Sequence, residues 1–446
     1  MLVTNARLAT FAEPPELISD GAMLVEEGRI VSVGSTTDLT AELPFEERWD
    51  VGGQLVMPAS ICAHTHFYGA FARAMTVPGD APTRFPEILE RLWWRLDKAL
   101  TVEDVRYSAL TCLVDAIRHG TTTLFDHHSS PNAVEGILDV IADAVDEAGL
   151  RACLCYEVSD RDGEARMRAG VAENVRFARS LGTRPRPRLA ASFGLHASLT
   201  LSDDTLAICA AAARGAGLPT HVHAAEGAAD QEDALRRTGR RVIHRLADAG
   251  LLSSHSIAAH CVHIDGSEIA RLAEIGAWVT HQPRSNMNNA VGVAPVARML
   301  CGGVNVALGN DGFSNWMLSE MKTACLVHKL SQRDPRAMPA DEVTAVAYNG
   351  GARLAQAYWP ECAFARLVPG AQADFVVLDY DPPTPLSAGN LPWHLLFGVE
   401  ASMITATVCA GRVLMRDRKI LVLDESAIAV RSRQLAAELW RRVAAS

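Results

Sequence analysis

Lysine is scarce in this chain of 446 residues, and its absence from the middle excludes any lysine-based chemistry there. Arginine supplies nearly all of the positive charge, and the formal net charge is −10. No basic run occurs, which argues against nucleic acid and anionic membrane surfaces as partners. The lysines are Lys98, Lys322, Lys329 and Lys419.

Long apolar runs and paired cysteines are also missing. No apolar run reaches the roughly 20 residues that a membrane-spanning helix needs, and the first residues do not have the layout of a signal peptide. Ten cysteines occur without a Cys-x-x-Cys pair, and Cys112, Cys209 and Cys325 lie inside apolar helical patterns. This usage is typical of a reducing compartment. We therefore expect a cytoplasmic protein without a membrane partner.

An alternation of short strands and longer helical patterns begins at Leu55 and continues to about residue 350. One helix is clear, since Thr101 provides a capping box and the apolar periodicity stops at His119-Gly120. Eight strands alternating with helices predict a parallel (β/α)₈ barrel of the TIM type. The predicted strands are Leu55–His66, Thr121–His128, Arg151–Val158, Leu189–His196, Pro219–Glu226, Ser256–His263, Ala277–Ser285 and Val304–Asp311.

Both ends of the chain have β character and differ from the middle. Short strands punctuated by glycine precede residue 55, and similar strands return near Asp374 and Ala406. A helix of about Glu425–Val443 closes the sequence. We predict an α/β protein in which residues 57–362 form the barrel. Residues 1–56 and 363–446 together form a small β-sandwich domain with a C-terminal helix.

Polar side chains cluster where the predicted strands end. His64 and His66 lie at positions i and i+2 of the first strand, so they share a face and are able to bind one cation. Active sites of (β/α)₈ barrels lie at the carboxyl ends of the strands. Polar residues at seven of the eight strand ends are difficult to explain as structure alone. They include Asp126, His127, His128, His196, His221, His223, Glu226, His260, His263, His281, Asn310 and Asp311.

Several motifs together carry a resemblance to a known family. The chain resembles the amidohydrolase superfamily, in the branch of the triazine hydrolases and guanine-type deaminases. Within this branch it is most similar to the SsnA-type aminohydrolases, which are associated with selenium metabolism. The motifs are His64-Thr-His66-Phe-Tyr, Leu92-Trp-Trp-Arg-Leu-Asp97, Asp126-His-His-Ser-Ser-Pro131, His223-Ala-Ala-Glu226, Arg284-Ser-Asn-Met-Asn-Asn289 and Asp311-Gly312.

This resemblance implies a metal site made of His64, His66, His223 and Asp311. Three imidazoles and one carboxylate suit Zn²⁺, with Fe²⁺ as the alternative, and leave room for a water. His221 shares a strand face with His223 and is a competing ligand. We favour His223, because Glu226 completes the His-x-x-Glu pattern of the family.

Many related enzymes hold two metals bridged by a carboxylated lysine, which this chain cannot supply. A bridge from Cys155 or Glu157 remains open, but we expect one divalent metal per subunit. The metal would activate a water to hydroxide. The resemblance implies that Asp311 accepts the proton of this water and that Glu226 transfers it to the substrate.

Two more histidines have predicted catalytic roles, and the substrate contacts are less specific. His260 should hydrogen-bond either the substituent of the attacked carbon or the nucleophile and stabilise charge, and His281 should orient Asp311 or the water. His263 is interpreted as a packed residue. Candidate substrate contacts, each with a structural alternative, are His128, His196, Arg73, Trp93, Trp94, Arg284, Asn286 and Asn315.

We therefore predict a metal-dependent aminohydrolase that deaminates a small purine- or pyrimidine-like heterocycle. A ring-opening cyclic amidase or a chlorohydrolase is the alternative on the same site. A rival of another class is a catalytically silent accessory protein in selenium-dependent hydroxylase metabolism. We expect a homodimer or a higher homo-oligomer, by similarity to related enzymes.

Overall fold

The computed structural model describes residues 1–44, 47–76 and 79–445. The other positions fall inside the predicted domains, but they lie outside the described residues. The strands, in chain order, are β1 (Leu2–Ala9), β2 (Leu17–Glu26), β3 (Arg29–Ser35), β4 (Arg48–Asp50), β5 (Leu55–Pro58), β6 (Ser60–Thr65), β7 (Thr121–His128), β8 (Arg151–Tyr156), β9 (Leu189–Ala191), β10 (Phe193–Ala197), β11 (Thr220–Ala224), β12 (Ile257–His260), β13 (Trp278–His281), β14 (Asn305–Leu308), β15 (Phe375–Leu378), β16 (Ile404–Cys409), β17 (Arg412–Arg416) and β18 (Lys419–Ile420).

Helices follow most of the central strands, as the alternating pattern predicts. Within the described ranges, none of these helices is long and apolar enough to cross a membrane. The helices are α1 (Thr36–Glu42), α2 (Phe85–Ile88), α3 (Trp94–Ala99), α4 (Val102–Arg118), α5 (Ile137–Ala148), α6 (Glu164–Thr183), α7 (Asp203–Ala216), α8 (Ala228–Thr238), α9 (Val242–Asp248), α10 (Gly266–Ile275), α11 (Pro283–Asn288), α12 (Val296–Cys301), α13 (Met317–Gln332), α14 (Ala340–Thr344), α15 (Gly351–Tyr358), α16 (Leu391–Phe397) and α17 (Glu425–Ala445).

Local sequence signals specify the helix α4 as predicted. The Thr101 side chain accepts a hydrogen bond from the backbone N–H of Asp104, and the Asp104 carboxylate accepts one from the backbone of Thr101. This capping box satisfies backbone donors that the first turn leaves unpaired. The helix ends at Arg118, one residue before the predicted stop.

The strands of the middle region form a parallel barrel in two hydrogen-bonded groups. One group has the order β6-β7-β8-β9, and the other has the order β10-β11-β12-β13-β14. A parallel bridge between Val158 and Leu195 joins the groups on one side. On the other side, the backbone N–H groups of Asn310 and Asp311 donate to the carbonyl of His64 at 2.9 and 3.0 Å. These contacts bring all eight strand ends to one face of the barrel.

Closure of the barrel beside His64 depends on Gly309. A Cβ atom at this position would lie 2.7 Å from the carbonyl oxygen of His64 and 2.8 Å from its backbone nitrogen. Only glycine allows two backbones to approach so closely. Gly309 therefore sets the spacing between the first barrel strand, which carries His64, and the end of the last, which Asp311 follows.

Two predicted strands are each divided in the structure. The run from Leu55 to His66 is β5, which belongs to the terminal sheet, followed by β6, the first barrel strand. Pro58 has no N–H group to continue a strand ladder, and the chain passes from one sheet to the other at Ala59. The run from Leu189 to His196 is divided into β9 and β10 at Ser192.

The predicted strand Ala277–Ser285 is wrong at its C-terminal end. The strand β13 ends at His281, and the helix α11 begins at Pro283. Proline is favoured in the first helical turn, where its missing N–H has no partner to lose. Residues 283–285 therefore belong to a short helix beside the strand ends.

A β domain built from both ends of the chain lies beside the barrel, as predicted. Its strands follow the order β18-β17-β16-β15-β5-β1-β2-β3, and β4 pairs with β1. The two ends meet where β5 runs antiparallel to β15. Buried side chains from both ends enclose one apolar core, in which the rings of Trp49 and Phe375 lie 6.3 Å apart.

A buried ion pair joins the barrel to this domain. Arg151 opens the barrel strand β8, and its guanidinium contacts the carboxylate of Asp374 just before β15. The same guanidinium donates to the Oγ1 of Thr123 at 3.2 Å and to the Oε1 of Gln372 at 3.1 Å. Both charged residues are almost fully buried, so each depends on the other for compensation of its charge.

Replacing Asp374 with alanine should strongly destabilise the protein. The change leaves the charge of Arg151 buried without its partner, which costs about 3–5 kcal/mol of the free energy of unfolding. Denaturant unfolding followed by circular dichroism measures this loss. The control is Asp334→Ala, which removes a surface carboxylate paired with Arg336. It should leave the denaturant concentration at the midpoint of unfolding nearly unchanged. Equal midpoints for the two variants would contradict the proposed importance of the ion pair.

Candidate active site

Imidazole and carboxylate groups converge at the carboxyl ends of the barrel strands. One ligating atom from each of His64, His223, His260 and Asp311 lies within 4.8 Å of the others. The Nε2 atom of His66 is 3.0 Å from the Oδ1 of Asp311 and 3.1 Å from the Nε2 of His223. The structure therefore brings together all four predicted metal ligands, with His260 beside them.

Hydrogen bonds fix which ring nitrogens face this cluster. The Nδ1 of His66 lies 2.5 Å from the backbone carbonyl oxygen of His127, and the Nδ1 of His223 lies 2.9 Å from that of His196. A carbonyl can only accept, so each Nδ1 carries a proton and donates it. In the neutral rings, both Nε2 lone pairs then face each other at 3.1 Å. This arrangement is repulsive unless a cation or a proton lies between them.

Charge and burial act in opposite directions on these histidines. Burial lowers the pKa of His66, but the hydrogen bond and the charge of Asp311 outweigh it and raise the pKa to about 9. For His64, burial prevails and lowers the pKa to about 3, so this ring is neutral near pH 7. A neutral imidazole is the form that binds metal ions, so an ion that bound to His66 would displace the proton that its raised pKa retains.

His221 lies behind the cluster and supports His64. Its Nε2 atom is 2.8 Å from the Nδ1 of His64, while the Nε2 of His64 faces the Oδ1 of Asp311 at 3.2 Å. The structure thus places His223 beside His66 and Asp311, and His221 on the far side of His64.

Asp311 uses both of its carboxylate oxygens. Its Oδ1 contacts His64 and His66, and its Oδ2 accepts a hydrogen bond from the hydroxyl of Ser285. Burial opposes ionisation, but the hydrogen bonds from His64 and His66 and the charge of His260 together hold the pKa of Asp311 well below its usual range. The carboxylate is therefore ionised and fixed in orientation.

Strained backbone positions occur at three of the strand ends. The φ angles of Ala225, His260 and Asp311 are +50°, +72° and +61°, in the left-handed region. Such conformations cost about 1–3 kcal/mol each for residues other than glycine. Ala225 follows β11, His260 ends β12 and Asp311 follows β14, so the chain departs from regular strand geometry where the cluster lies.

Glu226 and His260 form a second pair beside the cluster. The Nε2 of His260 lies 3.6 Å from the Oε2 of Glu226 and has no hydrogen-bond partner among the described residues. The Nδ1 of His260 lies 2.8 Å from the Oδ1 of Asn286. Burial, aided by the charge of Asp311, raises the pKa of Glu226 to about 7, although His260 opposes it. Such a carboxyl is able to gain and lose a proton near neutral pH.

A cleft of about 650 Å³, counting its open mouth, leads to these groups. Its lining combines acidic side chains, histidines and apolar side chains, and it suits a small ring compound rather than a macromolecule. The lining residues are His66, Tyr68, Phe85, Leu89, Trp93, Trp94, Asp97, Glu157, His196, Ala197, Leu199, His223, Glu226, Gly227, Asp230, Asn289 and Asp311.

Some of the predicted substrate contacts lie in this cleft or next to it. His196, Trp93 and Trp94 line it. Arg73 is exposed and lines an adjoining cleft, which shares Trp93, Asn289 and Asp311 with the first.

Other predicted contacts are engaged with the protein instead. The guanidinium of Arg284 pairs with the buried Glu320 at 2.6 Å. Asn315 donates to the backbone oxygen of Cys112 at 3.2 Å and is buried. These two residues do not line either cleft.

The remaining predicted histidines are also packed. His128 is buried, with its Nε2 2.9 Å from the hydroxyl of Ser130. The Nε2 of His281 lies 3.3 Å from that of His328 on α13. His263 faces the backbone oxygen of Val291 at 2.8 Å. The contact to Asp311 that was predicted for His281 is made by Ser285, and a catalytic role of His281 remains a prediction.

Two residues near the cluster were not singled out by sequence reasoning. Ser285 lies inside the quoted Arg284–Asn289 motif, but nothing in the sequence indicates that its hydroxyl reaches Asp311. Arg161 follows β8 and lies 2.7 Å from Asp97 and 3.6 Å from Glu157. The contacts Ser285–Asp311 and Arg161–Asp97 join residues that are 26 and 64 positions apart, which a local pattern does not reveal.

Comparison with known proteins identifies the family of the chain. A model of the amidohydrolase family matches residues 55–414. The chain belongs to the amidohydrolase family. It is 34% identical over 449 residues to the 5′-deoxyadenosine deaminase of Methanosarcina mazei, covering 99% of both chains. It is also 34% identical over 452 residues to the 5-methylthioadenosine/S-adenosylhomocysteine deaminase of Haloarcula marismortui, again covering 99% of both.

Solved structures support the fold of this amidohydrolase. An adenosine deaminase from Xanthomonas campestris with bound zinc superimposes with a TM-score of 0.84 at 24% identity, covering 98% of each chain. The predicted family and the barrel with its β domain are thereby confirmed. The narrower resemblance to SsnA-type proteins remains a prediction.

Membership also confirms the predicted class of enzyme. This amidohydrolase is a metal-dependent hydrolase acting on carbon–nitrogen bonds other than peptide bonds, like the deaminases to which it is similar. The family uses a divalent metal, and the cluster of histidines with Asp311 fits one.

Proposed function

We propose that this amidohydrolase deaminates an adenine-containing nucleoside or a closely related heterocycle, using one zinc ion per subunit. The observation that carries the metal site is the pair of Nε2 atoms of His66 and His223. They lie 3.1 Å apart with both Nδ1 protons already donated elsewhere. The names of the similar deaminases favour adenosine derivatives as substrates.

The donor set suits zinc, with iron(II) as the alternative. His64, His66, His223 and Asp311 would hold the ion, and three imidazoles with one carboxylate are typical of catalytic sites for either metal. When bound, the ion supplies Lewis acidity that makes a water more acidic. Glu157 contacts His127 at 3.2 Å and Arg161 at 3.6 Å, so we favour a single ion over a pair bridged by Glu157.

The side chains around the ion divide the proton transfers between them. Asp311 accepts a proton from the attacking water, and Glu226 carries a proton to the ring nitrogen and then to the departing amine. His260, held by Asn286 through its Nδ1, stabilises the developing negative charge when its Nε2 also carries a proton and donates it. In the overall reaction, water and the aminated ring give the keto ring and ammonia.

A panel of heterocycles followed for ammonia release tests this proposal. The panel contains 5′-deoxyadenosine, 5′-methylthioadenosine, adenosine, adenine, guanine and cytosine. We expect ammonia from at least one adenosine derivative, and the loss of this activity after chelation. Chloride release from a chlorinated ring, or opening of a cyclic amide, without any ammonia would favour the alternative hydrolases instead.

Replacing Ser285 with alanine should slow the reaction without removing the site. The change frees the Oδ2 of Asp311, so the carboxylate is oriented less well, and loss of such a supporting contact typically costs about 10–100-fold in activity or metal affinity. Steady-state kinetics with metal analysis measures both. The control is Ser267→Ala, which lies at the start of α10 and hydrogen-bonds Asp265. A Ser285 variant as active as this control would remove the positioning role.

A further inference from the structure

The cleft has an acidic wall to which the proposed proton transfers assign no role. We use this name for Asp97 and Glu157, which line the cleft and are 2% and 4% exposed. Burial raises the pKa of Glu157, but His196, His127 and Arg161 outweigh it and hold the pKa well below its usual range. Glu157 therefore remains a carboxylate at neutral pH.

The arginine beside the acidic wall already forms ion pairs with it. The Nη2 of Arg161 is 2.7 Å from the Oδ2 of Asp97 and 3.6 Å from the Oε1 of Glu157. Its guanidinium lies over the ring of Trp94, 5.1 Å from the centroid, and Arg161 does not itself line the cleft. Of the residues that the structure describes, no lysine or arginine lines this cleft. An incoming anion would therefore meet these carboxylates, and no lysine or arginine of this lining would pair with it.

Two residues of the cleft lining each have a buried polar atom without a hydrogen bond. The Oδ1 of Asp97 and the Nε1 of Trp94 are buried, and within the described ranges neither has a hydrogen-bond partner. Buried polar atoms are paired in nearly all native structures.

The rest of the lining adds an apolar surface. Phe85, Leu89, Trp93 and Leu199 contribute to the same cleft. An apolar substituent gains free energy by leaving water for such a surface, whereas a charged group loses its hydration there.

We propose that this cleft selects an uncharged or cationic heterocycle and discriminates against substrates that carry a carboxylate or a phosphate. The inference rests on the proposed function, because it names the substrate class of the same site. Among the compounds in the names of the similar enzymes, 5′-deoxyadenosine and 5′-methylthioadenosine are uncharged, whereas S-adenosylhomocysteine carries both a carboxylate and an ammonium group.

A pair of compounds of nearly equal size tests the charge alone. Adenosine 5′-carboxamide and adenosine 5′-carboxylate differ by one charge at the 5′ position. We expect kcat/KM for the carboxylate to be lower by about 100-fold, since like charges brought together in an interface cost several kcal/mol. Equal values for the two compounds would overturn the inference.

Glu157→Gln keeps the shape of the acidic wall and removes one charge. We expect it to reduce the discrimination between the two compounds by about 10-fold. The matched control is Glu173→Gln, which alters another buried carboxylate paired with an arginine, Arg176, away from the cleft. An unchanged ratio in Glu157→Gln would overturn the inference, and Asp97→Asn serves the same purpose should Glu157→Gln fail to fold.

Ligand binding separates this inference from the proposed function. The zinc-loaded protein is heated with either compound at millimolar concentration, and the shift of the unfolding temperature is recorded. A higher unfolding temperature with the carboxamide alone would support the inference, even if no compound released ammonia. The lack of ammonia would contradict only the proposed function. Equal protection by both compounds, or protection by neither, would overturn the inference whatever the activity.

Discussion

Asp311→Asn should lower turnover by about 10⁴-fold, the upper end of what a positioned acid or base contributes. The variant keeps the size of the side chain, but it removes the charge that faces His64 and His66 and the base that we assign to the attacking water. Single-turnover kinetics on the metal-loaded protein measures the loss. We expect kcat to fall much more than KM changes.

A matched change elsewhere controls for folding. Asp334→Asn alters a surface carboxylate paired with Arg336 and should leave turnover unchanged. Metal content and near-ultraviolet circular dichroism of both variants show whether each is folded. A folded, metal-loaded Asp311→Asn enzyme that retained more than about a tenth of the activity would contradict the role assigned to this residue.

Glu226→Gln should lower the rate of deamination by about 10³-fold, within the range for loss of a general acid and base. Burial, with the charge of Asp311, raises the pKa of Glu226 to about 7 against the opposing effect of His260. The oxygen of glutamine is still able to accept the hydrogen bond from Asn289, but glutamine cannot carry a proton to the leaving amine. Metal content should stay at the wild-type level.

The leaving group shows whether Glu226 acts through proton transfer. An amine must be protonated to leave, whereas chloride leaves as an anion. Glu226→Gln should therefore slow the hydrolysis of 6-chloropurine riboside about 10-fold less than it slows that of the 6-amino compound. Glu164→Gln, at the exposed start of α6, is the control for the loss of one carboxylate. An equal loss with both compounds would assign Glu226 to binding rather than to proton transfer.

The barrel and much of its active site could be predicted because their signals are local. The i, i+2 spacing of His64 and His66, and the alternation of strands with helices, follow from the geometry of single strands. The division of Leu55–His66 between two sheets could not be predicted from an unbroken apolar run. It depends on the pairing of β5 with β15, more than 300 residues later.

Roles of individual polar side chains were harder to predict for the same reason. Nothing in the sequence ranks Arg284, Asn315 and Trp93 against one another as substrate contacts. In the structure, Glu320 pairs with Arg284 and Cys112 accepts a hydrogen bond from Asn315, while Trp93 lines the cleft. These partners are distant in sequence, and only the folded arrangement decides which side chains are free.

The central claim is that one divalent ion, held by the histidine cluster and Asp311, is required for hydrolysis. Metal analysis of the purified protein before and after chelation, with activity recorded on the same samples, tests it most directly. We predict about one zinc or iron per chain, loss of activity on its removal and recovery when it is returned, as for other catalytic sites of this ligand type. An active chain with well under one metal ion, unchanged in activity and stability by the chelator, would contradict the account. An inactive chain with the same properties would support a silent accessory protein.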